Sequence, residues 1–207
     1  MNILDFSAVT SRYFTEDQMA RIKAARIGIA GAGGLGSNCA HALARCGFEK
    51  FIIVDFDLVE AHNLNRQFYF ADQIGRPKVE ALKENLRRIN PEITVKTLQI
   101  RLDAQNLPRT FESCDAVVEA FDKAENKAML VRALAGSGKL VVTASGLAGF
   151  GNSNRIVTKM ARPDLYQVGD GHSAVDDTLK PLAPCVMVAA AKQADVVLCW
   201  VLGRQVP

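Results

Sequence analysis

The five cysteines of this 207-residue chain, Cys39, Cys46, Cys114, Cys185 and Cys199, include no C-x-x-C pair. Without that spacing neither a structural zinc cluster nor a thioredoxin-like redox pair has the ligands it needs. A strong charge of either sign is also missing: 25 lysines and arginines stand against 22 acids, a net charge of +3. That excess argues for no nucleic-acid or membrane surface unless it is concentrated, and Arg87, Arg88, Lys96 and Arg101 are dispersed and read as solvated faces, with an acidic protein partner as the lesser reading. The N-terminus lacks a basic-then-apolar signal segment, and the apolar C-terminal stretch is interrupted by Lys192 and Asp195. Neither secretion nor a membrane span is therefore expected, and the expected compartment is the cytoplasm. There is no internal repeat and no linker between domains. The length suits one domain, and a chain 49% hydrophobic and 23% charged has ordinary globular composition.

What is present begins with glycine. Arg26-Ile27-Gly28-Ile29-Ala30 reads as a buried strand running into Gly31-Ala32-Gly33-Gly34-Leu35-Gly36, followed by a helical stretch from Ser37 to Cys46. Gly31 permits a tight turn, Gly33 and Gly34 let backbone N–H groups approach a phosphate, and Gly36 allows helix to pack on strand. The helix N-terminus adds partial positive charge. A second strand, Phe51 to Val54, ends at Asp55, roughly 20 residues after the loop, where a carboxylate reaches the ribose hydroxyls of a bound nucleotide. The glycine pattern alone would be weak; strand, loop, helix, strand and acid together predict a phosphate-binding site. Cys39 and Cys46, two helical turns apart, are expected on the buried face of the helix.

Thr15-Glu16-Asp17-Gln18 has the capping-box pattern of a helix start. After the second strand a long polar loop runs to Gly75-Arg76-Pro77, and Pro77 fits the first turn of a helix carrying Val79, Leu82, Leu86 and Ile89 on one face. Strands at Thr94 to Ile100, Ala116 to Ala120 and Leu140 to Ala144 alternate with a short polar helix and a helix from Ala124 to Leu134. This alternation implies an α/β fold, a Rossmann-like doubly wound parallel sheet. Gly146 to Asn154 is turn-rich, Arg155 to Lys159 can form an added strand, and Ala161 to Pro184 is a proline-, glycine- and aspartate-rich connection before a final helix over Val186 to Leu202.

Arg66 and Lys78 flank the polar loop, and Asp122 follows the Ala116 to Ala120 strand. All three lie at or near strand carboxyl ends, the edge where open α/β sheets bind ligands. Singly, Arg66 reads as a salt-bridged loop residue, Lys78 as a solvated first-turn lysine and Asp122 as a helix cap. Jointly, two cations and a carboxylate suit a triphosphate with Mg²⁺ better than a dinucleotide.

Gly31 to Gly36, Asp55-Phe56-Asp57-x-Val59-Glu60, Asn63-Leu64-x-Arg66-Gln67 and Gly75-Arg76-Pro77-Lys78 resemble, in order, the motifs of the ThiF, MoeB and ubiquitin-activating family of adenylating enzymes. The likeness is greatest to the short ThiF-like enzymes of bacterial thiamine biosynthesis and covers nearly the whole chain. It implies one adenylation domain: an N-terminal arm and helix over residues 1–25, a Rossmann-like core over 26–160, a crossover loop over 161–183 and a C-terminal helix over 184–207. The sheet would be mostly parallel with an added C-terminal antiparallel strand.

By resemblance, Gly34 and the neighbouring loop amides of Gly31, Gly33 and Gly36 contact ATP phosphate, and Asp55 holds the ribose. Asn63, Leu64, Asn65, Arg66 and Lys78 line the triphosphate, with Asp57, His62 and Lys123 in the ATP-binding set and Asp122 on Mg²⁺. Arg66, Lys78 and Asp122 would be the catalytic residues. The substrate would be the C-terminal Gly-Gly of a ThiS-like, ubiquitin-like sulfur carrier, and the enzyme a cytoplasmic homodimer needing ATP and Mg²⁺ but no zinc, nucleic acid or membrane.

The chain departs from the family's pattern in four places. Arg12-Tyr13-Phe14 is followed by Thr15, where many members have a second arginine that reaches a partner subunit's ATP site. The C-x-x-C zinc ligands are missing, as is a cysteine at the usual place in the crossover segment. Cys185 reads as a buried start-of-helix cysteine, with thioester or persulfide chemistry the lesser reading. Asp122 precedes Lys123 where relatives often have asparagine. Competing readings are a tRNA threonylcarbamoyladenosine dehydratase, an NAD-dependent oxidoreductase and a non-catalytic scaffold.

Overall fold

The computed structural model describes residues 6–145, 149–172 and 180–206. Helices are α1 (Phe6–Thr10), α2 (Glu16–Ala24), α3 (Gly34–Arg45), α4 (Lys78–Ile89), α5 (Leu107–Thr110), α6 (Ala124–Leu134) and α7 (Ala183–Val201). Strands are β1 (Arg26–Ala30), β2 (Lys50–Val54), β3 (Thr94–Leu98), β4 (Ala116–Glu119), β5 (Leu140–Ala144), β6 (Val157–Arg162) and β7 (Leu165–Gly169). They form one sheet in the order β3-β2-β1-β4-β5-β7-β6, parallel except for the β6–β7 pair. The order reverses between β1 and β4, which opens a crevice at their carboxyl ends.

Alternate residues of the central strands feed two cores, as a sheet covered on both faces requires. Ile27, Ile29, Val118 and Val142 join Leu43 and Val197 on one face, and Ile52, Val54, Val117 and Val141 join Phe111 and Leu130 on the other. Gly28 is the exception in β1 because a side chain there would meet the Phe111 ring at 2.6 Å. α7 is long and apolar enough to cross a membrane by length and composition alone. Its apolarity goes into packing on α3 and β5.

Local signals worked where they were short-range. Thr15 and Gln18 exchange hydrogen bonds at the α2 start, at 3.0 and 3.3 Å. Val79, Leu82 and Leu86 are buried on α4, although Pro77 is its N-cap rather than a residue of the first turn. The arm also contains α1, which the sequence pattern did not show.

The expected 161–183 loop needs correction. Its first part completes β6, and β7 follows, parallel to β5 through Val141↔Leu165 and antiparallel to β6. A five-residue strand between turn residues is specified by its neighbours on both sides more than by its own composition. Residues 173–179 of the expected crossover and 146–148 of the turn-rich stretch lie outside the described residues.

Candidate functional site

The carboxyl ends of β1, β2 and β4 converge on the glycine loop. Gly31 donates its N–H to Val54 O at 2.8 Å, and Ala120 N–H donates to Ala30 O at 2.9 Å. Gly31 has φ +100°, and a Cβ there would lie 2.8 Å from Ala120 O, so both conformation and space demand glycine. A Cβ on Gly36 would overlap the Gly31 carbonyl oxygen, while one on Gly34 would meet Val186 at 2.9 Å. Gly33 is different: a Cβ there has only Gln67 Nε2 nearby, at 4.0 Å. Gly33 is the N-cap of α3 and no side chain caps that terminus, which leaves its donors and its dipole to an anion.

Asp55, expected from its spacing to reach a nucleotide's ribose, faces this loop, and its oxygens are already engaged. Oδ2 accepts from Ala32 N–H at 2.6 Å and Oδ1 from Asp57 N–H at 2.8 Å. Burial pushes its carboxyl pKa up, opposed by the Lys78 charge and the two amides. Each oxygen keeps a further lone pair for a hydroxyl donor.

Lys78 is not the solvated lysine that its first-turn position allowed. The Asp57–Val59 stretch pairs with Gly75–Lys78 through Val59 N–H to Arg76 O, Gly75 N–H to Val59 O and Lys78 N–H to Asp57 O. This carries the ammonium inward to Asp57 Oδ2, 2.8 Å away, with the lysine side chain 7% exposed. The loop between these strands of chain forms two short 3₁₀ turns, Ala61–Asn65 and Ala71–Gln73.

Arg66 lies beside the start of α3, its Cγ 3.5 Å from the position of a Gly34 Cβ. Its Nη1 donates to Asn65 Oδ1 at 2.7 Å and to His62 O at 3.3 Å. Asn63 is buried and accepts the Glu60 N–H at 3.0 Å, so its side chain shapes the turn. Leu64 packs against the core. His62 is exposed and its Nδ1 lies 3.2 Å from Glu60 Oε2.

Asp122 and Lys123 are exposed on the turn between β4 and α6, beside Gly31 through the backbone of Ala120 and Phe121. Lys123 is the N-cap of α6, so Asp122 is not its cap. Among the described residues no group of three His, Cys, Asp or Glu could hold a metal alone. One carboxylate fits a Mg²⁺ that arrives with a polyphosphate and takes its remaining ligands from phosphate oxygens and water. Arg12 is exposed after α1, and Cys185 is buried in the first turns of α7.

Several supporting residues escaped the sequence reading. Asn38 donates to Gly34 O at 2.7 Å and Arg66 O at 2.8 Å, and Ser37 bridges Gly33 O and Phe68 N–H at 2.7 and 3.0 Å. Tyr69 donates from its buried hydroxyl to Ala32 O at 2.7 Å. These bonds fasten the Arg66 segment to the glycine loop, and only the helical spacing of Ser37 and Asn38 from Gly33 and Gly34 hinted at them.

The ThiF family pattern matches residues 7–207. This chain belongs to the ThiF family. Among related ThiF-type proteins, it is 36% identical over 128 residues to the adenylyltransferase and sulfurtransferase UBA4 of Eremothecium gossypii, covering 61% of this chain and 29% of that protein. It is 31% identical over 173 residues to the tRNA threonylcarbamoyladenosine dehydratase of Haemophilus influenzae, covering 81% and 61%. The chain thus spans less than two thirds of either relative's length. The crystal structure of E. coli tRNA N6-threonylcarbamoyladenosine dehydratase in complex with ATP has the same fold, with a TM-score of 0.87 at 22% identity over 98% of each chain.

Proposed function

We propose that this ThiF-family protein is an ATP-dependent adenylyltransferase acting on the C-terminal Gly-Gly carboxylate of a ubiquitin-like sulfur carrier of the ThiS type. The observation that carries the reading is the grouping of a buried ammonium, an arginine and an uncapped helix N-terminus around one strand-end crevice. An α-carboxylate with a pKa of about 3.5 is ionised at neutral pH and needs no general base. The difficulty is its approach to a polyanion.

The carrier carboxylate oxygen would attack the α-phosphorus of ATP as the bond to the bridging oxygen breaks, giving the carrier acyl-adenylate and pyrophosphate. The loop amides and the α3 dipole would hold phosphate oxygens, Asp55 a ribose hydroxyl, and Arg66 and Lys78 the charge that accumulates on the departing pyrophosphate. Asp122 would hold Mg²⁺, which neutralises phosphate charge when bound. Catalysis is then positioning and electrostatics. We propose a homodimer in solution, for which light scattering is the test.

A second reading, a threonylcarbamoyladenosine dehydratase acting on tRNA, is favoured by the alignment with the Haemophilus protein over 81% of the chain. The small net charge of +3 supports a protein substrate over RNA. ATP–pyrophosphate exchange, with ThiS-like and molybdopterin-type carriers and with each lacking its Gly-Gly, decides. Exchange that needs the tail is expected. No exchange with any carrier, together with tRNA-dependent ATP turnover, would transfer the assignment to the second reading.

A further inference from the structure

One heavily bonded carboxylate has no role in the site as described above. Glu119 ends β4 with its side chain 0% exposed. Its Oε1 accepts from Phe121 N–H at 2.7 Å and from Lys127 Nζ at 3.1 Å. Its Oε2 accepts from Lys127 Nζ at 3.2 Å, Thr143 Oγ1 at 2.5 Å and Ala144 N–H at 3.4 Å. Above it, Gln193 of α7 donates to Glu119 O at 3.0 Å and to Val142 O at 3.4 Å. One side chain therefore joins β4, the β4–α6 turn, α6 and β5.

Its location gives the arrangement a purpose. The β4–β5 ladder ends at Val118↔Val142, so at Glu119 the two strands begin to part. Phe121, whose amide the carboxylate grips, directly precedes Asp122, and Lys127 lies one helical turn into α6. A buried ion pair is weak evidence for stability, since apolar residues of like volume often do as well. It does fix geometry, because leaving either charge unpaired in the interior is costly. Among the described contacts the Glu119 carboxylate bonds to none of the residues assigned above to the nucleotide; its link to them is the Phe121 amide beside Asp122.

We propose that Glu119, paired with Lys127, is a positioning residue that sets the Phe121–Asp122 turn so that Asp122 can meet a Mg²⁺ bound to the nucleotide. The inference rests on the ATP-site reading above. It requires that the carboxylate matter to metal-assisted ATP binding more than to ATP binding alone. Partners that orient metal-binding groups typically contribute about 10–100-fold to metal affinity or activity.

The test is calorimetry of ATP binding to the full chain with Mg²⁺ and with a chelator, for the natural protein, Asp122→Asn, Glu119→Gln, Lys127→Arg and the neutral swap Glu119→Gln/Lys127→Met. The swap removes both charges together, so it is expected to fold even if the single change leaves Lys127 stranded. Asp122→Asn is expected to abolish the gain in affinity that Mg²⁺ brings. Glu119→Gln and the swap are expected to reduce that gain about tenfold while chelator-measured affinity stays within about twofold, and Lys127→Arg is expected to preserve the gain.

An unchanged gain in a folded swap would overturn the proposal. So would equal losses with and without metal, which mark a core-packing role. A natural protein whose ATP affinity ignores Mg²⁺ would overturn it as well, while pyrophosphate exchange with a Gly-Gly carrier would still decide the adenylation reading separately.

Discussion

Lys78 Nζ and Asp57 Oδ2 are 2.8 Å apart, yet the lysine side chain is 7% exposed and the aspartate 44%. The ammonium is therefore the member that depends on its partner, and the half-solvated carboxylate is the member that an incoming phosphate can replace. Asp57→Asn leaves the buried cation without its hydrogen-bonded partner, with only the Asp55 charge still facing it. Breaking a fully buried pair costs roughly 3–5 kcal/mol, and solvent access to Asp57 lowers the expectation to about 1–3 kcal/mol. Saturating ATP is expected to raise the melting temperature of this variant more than that of the natural protein, because triphosphate restores the missing charge. An equal ATP-induced shift in the two would contradict that substitution.

Two glycines of the same loop are expected to separate folding from binding. A Cβ on Gly36 would overlap the Gly31 carbonyl oxygen, so Gly36→Ala must move α3 from β1. A loss of about 3 kcal/mol or more is expected in denaturant unfolding. Gly33 has φ −77° and open space, with only Gln67 Nε2 at 4.0 Å. Gly33→Ala is expected to change stability by less than about 1 kcal/mol while the methyl crowds the phosphate, weakening ATP about tenfold or more by calorimetry.

The glycine loop, Asp55 and the α2 and α4 patterns were legible because their determinants lie within a few residues of one another. The Thr15 box closes across three positions, and the β1–loop–α3 unit is read from consecutive residues. Strand β7 was not legible: Leu165 to Gly169 is flanked by turn residues and becomes a strand because β5 and β6 pair with it. Glu119 was invisible for the same reason. Its partners are 8, 24 and 74 positions away at Lys127, Thr143 and Gln193, and an acid inside Val-Val-Glu-Ala announces none of them. Lys78 stood out in the sequence as a residue beside the polar loop, but its burial depends on the Asp57–Val59 pairing with Gly75–Lys78, which no local pattern encodes.

His41 provides a pH test of the α3 surface. It stacks on Phe68 with ring centroids 4.2 Å apart, and its Nε2 accepts from Arg45 Nε at 2.7 Å. Burial, and then the Arg45 charge, lower its pKa below the ordinary 6.5. The unfolded chain therefore binds the proton more readily than the folded one between that lowered value and 6.5. The stability contributed by neutral His41 is complete above 6.5 and is lost as the pH falls from 6.5 through the folded value. His41→Gln keeps an acceptor for Arg45 and does not titrate. Its melting temperature is expected to fall less than that of the natural protein between about pH 7.5 and about pH 5. Parallel curves would show that His41 carries no such linkage.

Arg66 is expected to affect the reaction far more than the fold. Its carbonyl is fixed by Asn38 at 2.8 Å, so the segment's path does not depend on the guanidinium. The guanidinium bonds only within its own turn, to Asn65 at 2.7 Å and His62 at 3.3 Å among the described contacts. Those two bonds hold the guanidinium in one orientation before any ligand arrives, which reduces the reorganisation needed as charge develops. Arg66→Met keeps the stem that covers the start of α3 and is expected to shift stability by less than about 1 kcal/mol. If Arg66 meets the pyrophosphate as it departs, carrier-dependent exchange should fall about 10²–10³-fold, chiefly in kcat, because that charge is greatest in the transition state. Arg66→Lys supplies charge without the planar pair of donors and is expected to recover only part of the rate. A loss confined to KM, fully recovered by lysine, would instead make Arg66 a simple electrostatic anchor for ATP.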